Sequence, residues 1–162
     1  MNLITIFHAL VLLTLANGAP VIAKRLLGNH FTHPLDCGLN WFDGRRLFGH
    51  AKTVRGILAS VFACGVGGLL LGIHVHIAVA VAVAAMLGDL LSSFIKRRLA
   101  IEPSGQAFGL DYIPEALVPA LVLTHMVGLS LADVTIIVIV FWLGAAALSP
   151  LLHHIGLRDR PY

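Results

Sequence analysis

GILASVFACGVGGLLLGIHVHIAVAVAVAAMLGDLLSSFI, running from Gly56 to Ile95, is forty residues long and carries one acid, Asp89, and no Lys or Arg. A single membrane span takes about 20 residues, so this run reads as two helices. The break falls best at Gly72-Ile73-His74-Val75-His76. The cluster Gly65-Val66-Gly67-Gly68 allows helices to approach closely, with plain packing as its simplest role. Hydrophobic residues make up 58% of the 162-residue chain and charged ones 12%. A soluble domain has roughly 25% charged residues, so the class is a membrane protein.

Outward on the N-terminal side, Met1 to Ala23 is apolar and reads as a first span. A secretory signal peptide is the rival reading. It wants a basic start, and no Lys or Arg precedes Lys24, although Ala16-Asn17-Gly18 would pass as a cleavage site. Pro20 is expected to open the helix near its end and free carbonyls there, which is tolerable only where protein or water satisfies them. On the C-terminal side, Ile113 to Leu131 and Val134 to Ile155 read as two more spans, broken near Gly128 to Asp133. Pro114 and Pro119 predict an irregular or tilted start.

The expected fold is therefore all-α: a polytopic integral membrane protein of one domain, 1–162. Its five transmembrane helices lie at about 1–23, 56–72, 75–95, 113–131 and 134–155. Two polar loops, 24–55 and 96–112, join them, and the first is too long to be a simple turn. Every Lys and Arg falls in these loops or in the tail after Gly156. The positive-inside rule then puts both loops, the active site and the C-terminus in the cytoplasm, with the N-terminus outside. Cys37 and Cys64 have no CxxC spacing, so they read as packing residues rather than a disulfide.

The chemistry gathers at the loops. Asp43-Gly44-Arg45-Arg46-Leu47-Phe48-Gly49-His50-Ala51-Lys52-Thr53-Val54-Arg55-Gly56 packs one carboxylate, four cations and three glycines into fourteen residues. Arg45, Arg46, Lys52 and Arg55 suit phosphates, Arg as a bidentate fork and Lys as a point charge. Gly44, Gly49 and Gly56 let backbone come close to a ligand. On the third helix, Asp89, Ser92, Ser93 and Lys96 fall on one face, with Arg97 at its border. Asp89 lies about 10 Å below Lys96 along the axis. A carboxylate in a span costs about 2.5–3.5 kcal/mol on insertion scales, so such residues face a cavity and mark function. Lys96, Arg97 and Arg98 also serve as an interfacial anchor, the simpler role for Arg98. Asp43, Asp89 and Asp111 are the expected metal ligands, and hard carboxylate oxygens suit Mg²⁺. His30, His33 and His50 raise zinc as a rival but lack a tight ligand spacing. A basic loop docked on anionic lipid is the plainer alternative, though it leaves Asp43 and Asp89 without a role. Neither a Walker loop nor a GxGxxG pattern is present.

These motifs, in this order, resemble the CDP-archaeol synthase family within the wider group of CTP-dependent phosphatidate cytidylyltransferases. The resemblance rests on Ala16-Asn17-Gly18-Ala19-Pro20, Pro34-Leu35-Asp36-Cys37-Gly38 and Asp43 to Gly49. It continues through Lys52 to Gly56, Gly88-Asp89, Ser93 to Arg98, Leu110-Asp111, Gly156-Leu157-Arg158 and Pro161-Tyr162. It implies a five-helix membrane enzyme that transfers CMP from CTP to a glycerolipid phosphate and releases pyrophosphate, with Mg²⁺. Catalytic roles would fall to Asp89, Lys96, Arg97, Lys52 and Asp111. Substrate contacts would fall to Asn17, Pro20, Asp43, Gly44, Arg45, Arg46, Lys52, Thr53, Arg55 and Ser93. Tyr112 stands where the family commonly has Gln. Gly88 to Ser93 and Ile113-Pro114-Glu115 look more like the bacterial branch, which keeps phosphatidate beside the archaeal ether lipid as substrate. The expected partners are CTP, the lipid phosphate and the bilayer, with no nucleic acid. The alternatives from other classes are a small membrane transporter or channel for an anionic solute, and a non-catalytic membrane assembly factor. Against transport, the polar groups gather at one side, and Asp133 is the one acid of the opposite loops.

Overall fold

The computed structural model describes residues 2–102, 105, 107, 109–154 and 156. The tail cations Arg158 and Arg160 and the Pro161-Tyr162 motif lie outside them. Five helices form: α1 Leu3–Leu27, α2 Val54–Leu70, α3 Val75–Arg98, α4 Ile113–Val127 and α5 Leu131–His154. Three are long and apolar enough to cross a membrane: α1, α3, and α5 over Leu131–Leu151. α2 has 17 residues and α4 has 15. At 1.5 Å per residue these reach about 22–25 Å, short of a 30 Å hydrocarbon core.

The helix ends follow their local chemistry. Asn2 caps α1 by accepting from Thr5 N–H, and Thr53 caps α2 by accepting from Gly56 N–H. Gly128 ends α4 in the left-handed region at φ 71°. Ser130 and Asp133 bond reciprocally, side chain to backbone N–H, in a capping box that opens α5. Pro20 does not open α1, which runs on through it to Leu27. α4 is likewise a regular helix, with Pro114 in its first turn, where the missing N–H costs nothing.

α3 packs against α1, α2 and α4, and α5 closes the bundle against α1 and α4. The buried face of α3 is small: Ala78, Val81, Ala82 and Ala85. Small residues let backbones meet, which is how helices associate where lipid offers no hydrophobic drive. A Cβ at Gly68 would strike Ala78 and one at Gly67 the Leu15 side chain, whereas one at Gly65 would meet nothing within 4 Å. Large apolar residues such as Phe62, Leu70 and Leu131 face outward, as hydrocarbon solvent permits. Among the described residues, every Lys and Arg lies at the end of the bundle where α1 and α3 finish and α2 and α4 begin.

Candidate active site

The segment between α1 and α2 is built around Asp36. Its side chain is fully buried and accepts from Gly38, Phe48 and Gly49 N–H at 3.1, 3.2 and 2.9 Å and from Arg46 Nη2 at 2.6 Å. Burial pushes the carboxyl up, but the backbone and Arg46 donors outweigh it and hold it below the usual carboxylate range. The chain pairs with itself at Pro34–Thr53 and Asn40–Arg46. Between the last pair it turns at Gly44, at φ 74°.

This loop is clamped to the end of α3. Arg45 Nη1 donates to the carbonyls of Arg97 and Arg98 at 3.3 and 2.8 Å, orphan acceptors at a helix C-terminus. Arg98 returns to Asp43 at 2.6 Å and to the Arg46 carbonyl at 2.7 Å. The Arg98 guanidinium also stands 5.0 Å over the Phe94 ring, which meets Trp41 edge-on. On the other side, Lys96 binds Asp111 at 2.5 Å, and Asp111 accepts from Ala107 N–H.

The clamp brings Lys52 over the membrane helix. Its Nζ lies 2.5 and 2.6 Å from the two Asp89 carboxylate oxygens. Burial lowers the Lys52 pKa, but Asp89, Glu115 and Asp111 reverse that, so it stands above the usual lysine value and the side chain stays charged. The pair borders a cavity of about 630 Å³, which also meets Asn17 and Pro20 of α1, Arg55 of α2 and Glu115 of α4. That volume lies within the range of small-molecule sites.

The structure therefore sorts the expected residues into two groups. Asn17, Pro20, Lys52, Thr53, Arg55 and Asp89 line the cavity. Asp43, Gly44, Arg45, Arg46, Ser93, Lys96, Arg97 and Asp111 do not. Lys96 and Asp111 nonetheless lie close enough for their charges to act on Asp89 and Lys52. Ser93 and Arg97 are buried on α3. The three aspartates expected as one metal set are apart, because each faces its own cation: Arg98, Lys52 or Lys96. Among the described residues, no group of three or more His, Cys, Asp or Glu is placed to hold a metal, zinc included.

Two residues were missed by sequence reasoning. Glu115 sits in the first turn of α4, with its side chain beside that of Asp89. Gly88 sets this contact, since its missing Cβ makes room for the Pro114 carbonyl and the Glu115 backbone. An acid at the edge of an apolar run was the available signal, the same one that marked Asp89. Asp36 stood in one of the motifs of the resemblance but was given no role, because a loop carboxylate reads as solvated until its donors are seen.

A family model described as "CarS-like: CDP-archaeol synthase" matches residues 2–162. The CDP-archaeol synthase of Pyrobaculum arsenaticum is 37% identical over 143 residues, covering 85% of this chain and 80% of that one. That of Thermofilum pendens is 34% identical over 161 residues, covering 91% and 75%. A solved structure described as "Structural insight into an intramembrane enzyme for archaeal membrane lipids biosynthesis" superposes with a TM-score of 0.70 at 28% identity. It covers 85% of this chain and 90% of its own.

Proposed function

The chain belongs to the CDP-archaeol synthase family and is a CTP-dependent lipid-phosphate cytidylyltransferase, and we propose that its reaction runs in the cavity beneath Lys52. The observation that carries this is the Lys52–Asp89 contact, which ties a loop cation to an acid 37 residues away inside a membrane helix. Arg55 and Glu115 line the same cavity. Cations for a triphosphate and hard oxygens for a divalent metal thus meet in one place.

An ionised lipid phosphate needs no general base. Its oxygen attacks the α-phosphorus of CTP, the new O–P bond forms, and the bond to the β-phosphate breaks to release pyrophosphate. This chain then has to position the groups and neutralise charge. Lys52 stays protonated and stabilises the leaving pyrophosphate. Arg55 supplies a second fixed cation. Asp89 and Glu115 fit Mg²⁺, which needs only one or two carboxylates because it keeps waters and takes phosphate oxygens. When bound, it supplies charge that offsets the triphosphate. The Arg45, Asp43 and Arg98 clamp acts by holding Lys52 in place, and Lys96 with Asp111 does so from the second loop.

We place all five helices across the membrane, with the clamped end in the cytoplasm and the N-terminus outside. Clustering of the cations at one end supports this. The test is pyrophosphate release by the detergent-purified protein with CTP and Mg²⁺, given phosphatidate or digeranylgeranylglyceryl phosphate. Release with one lipid, and none without lipid, is the expected result and selects the lipid. No release with either lipid overturns the reading.

A further inference from the structure

The turn at Gly44 carries apolar side chains that nothing in the protein covers. Trp41 N–H donates to the Arg45 carbonyl at 2.7 Å and Gly44 N–H to the Trp41 carbonyl at 2.9 Å, so 41–45 is the tip of a short hairpin. Phe42 at this tip is 96% exposed, and Leu39 and Trp41 are exposed beside it. Single exposed apolar residues are ordinary, but three grouped at one turn mark a surface that something covers. Charge is not what the tip offers. Arg45, Arg46 and Arg98 all bond inward, to α3 carbonyls, Asp36 and Asp43.

The position of the tip decides what covers it. Trp41 meets Phe42 edge-on at 5.1 Å between ring centroids, and Phe94 of α3 at 5.4 Å. Phe94 continues a stripe of α3 through Val83, Leu87 and Leu91, which are spaced by four and exposed on the outside of the bundle. Counted from Val75, where α3 begins, Phe94 lies about 28 Å along the axis, close to the roughly 30 Å thickness of the hydrocarbon core. The tip therefore stands where the lipid-facing wall of α3 reaches the headgroups, the level at which aromatic side chains gather. We propose that Leu39, Trp41 and Phe42 form an interfacial anchor, inserted among the headgroups of the membrane that the helices cross. The occupant is the bilayer rather than a second copy of the chain, because the surface continues a wall that lipid already covers. Arg45, Asp43 and Arg98 join the anchor to the end of α3, so the bilayer braces the same clamp that holds the first loop. The inference needs α3 to span a membrane and stands apart from the reaction.

The test is fluorescence quenching of the full chain in liposomes whose lipid tails carry bromine either near the glycerol or near the methyl end. The chain has two tryptophans, so Trp41→Phe with Trp142→Phe gives a silent background that keeps a ring against Phe94. Single reporters are added to it: Phe42→Trp and Leu39→Trp at the tip, and Leu143→Trp, exposed near the middle of the α5 span, as the reference. Both tip reporters should lose more emission to bromine near the glycerol than to bromine near the methyl end, the reverse of Leu143→Trp. If one tip reporter does not fold, the other is read alone. Tip emission untouched by bromine and open to aqueous iodide overturns the anchor. Emission shielded from both means that protein covers the turn, and overturns it as well; a shield lost on dilution into excess lipid identifies that protein as a second copy. A tip profile matching Leu143→Trp puts the turn in the hydrocarbon core and overturns the interfacial placement. Pyrophosphate release plays no part in the readout, so failure of the proposed function and failure of the anchor are told apart.

Discussion

Asp89→Asn removes the charge beneath Lys52 while keeping its shape. In the folded protein both carboxylate oxygens touch the ammonium, at 2.5 and 2.6 Å. The side chains are 27% and 19% exposed, which fixes the scale of the loss. An exposed pair contributes about 0–1 kcal/mol, whereas breaking a fully buried one costs about 3–5 kcal/mol. This pair is mostly covered but still wetted, so the expected coupling is about 2 kcal/mol, between those limits. Glu115 offsets part of the loss, because its charge also acts on Lys52. Activity should fall further than stability. The bridge aims Lys52 at the leaving pyrophosphate, and a lost electrostatic contact of that kind costs about 10²–10³-fold in kcat. The assay is an SDS-titration unfolding cycle on Asp89→Asn, Lys52→Met and the double variant, beside pyrophosphate release. Coupling below about 0.5 kcal/mol would refute the structural argument. Turnover within about threefold of wild type would refute the role of Asp89 in the reaction.

The remaining predictions concern the frame. Because the folded Asp36 carboxyl lies below its ordinary 3.8, its contribution is fully present above that value and is lost as pH falls through the folded value. Pepsin should therefore cut residues 28–53 only at pH below 3.8 in wild type, and at higher pH in Asp36→Asn, where a donor amide meets donor N–H groups; equal cleavage profiles would count against Asp36 as organiser. In Gly88→Ala the new Cβ lands on the Pro114 carbonyl and 3.0 Å from Glu115 Cα, backbone that cannot rotate aside. Such overpacking costs about 1–3 kcal/mol and should lower both melting temperature and activity, whereas Gly65→Ala, with open space around it, should leave both near wild type.

The class of fold was legible in the sequence because a membrane imposes a simple rule. Forty residues with one acid between two basic loops cannot be arranged in many ways, and the breaks expected at Gly72–His76 and Gly128–Asp133 are where α2 and α4 end. Proline was misleading. Pro20 looked like a helix opener, yet α1 runs through it while packing against Gly56 of α2, so tertiary contact overrode local preference. Periodicity along α3 marked Asp89 and Lys96 as sharing a face, and both are in the polar assembly at that end of the bundle.

What sequence spacing alone determined was chemistry by residue type: acids below, cations above, glycines between. It could not say which acid faces which cation, since every pair that matters is joined across the chain. Asp43 met Arg98, Asp89 met Lys52 and Asp111 met Lys96 only once the first loop folded on Asp36 and docked on the end of α3. That docking divided the expected site into cavity and clamp, and the close approach of α3 and α4 at Gly88, a residue without a side chain, brought in Glu115. Electrostatic partners are chosen by distance in space, and only the packed helices fix that distance.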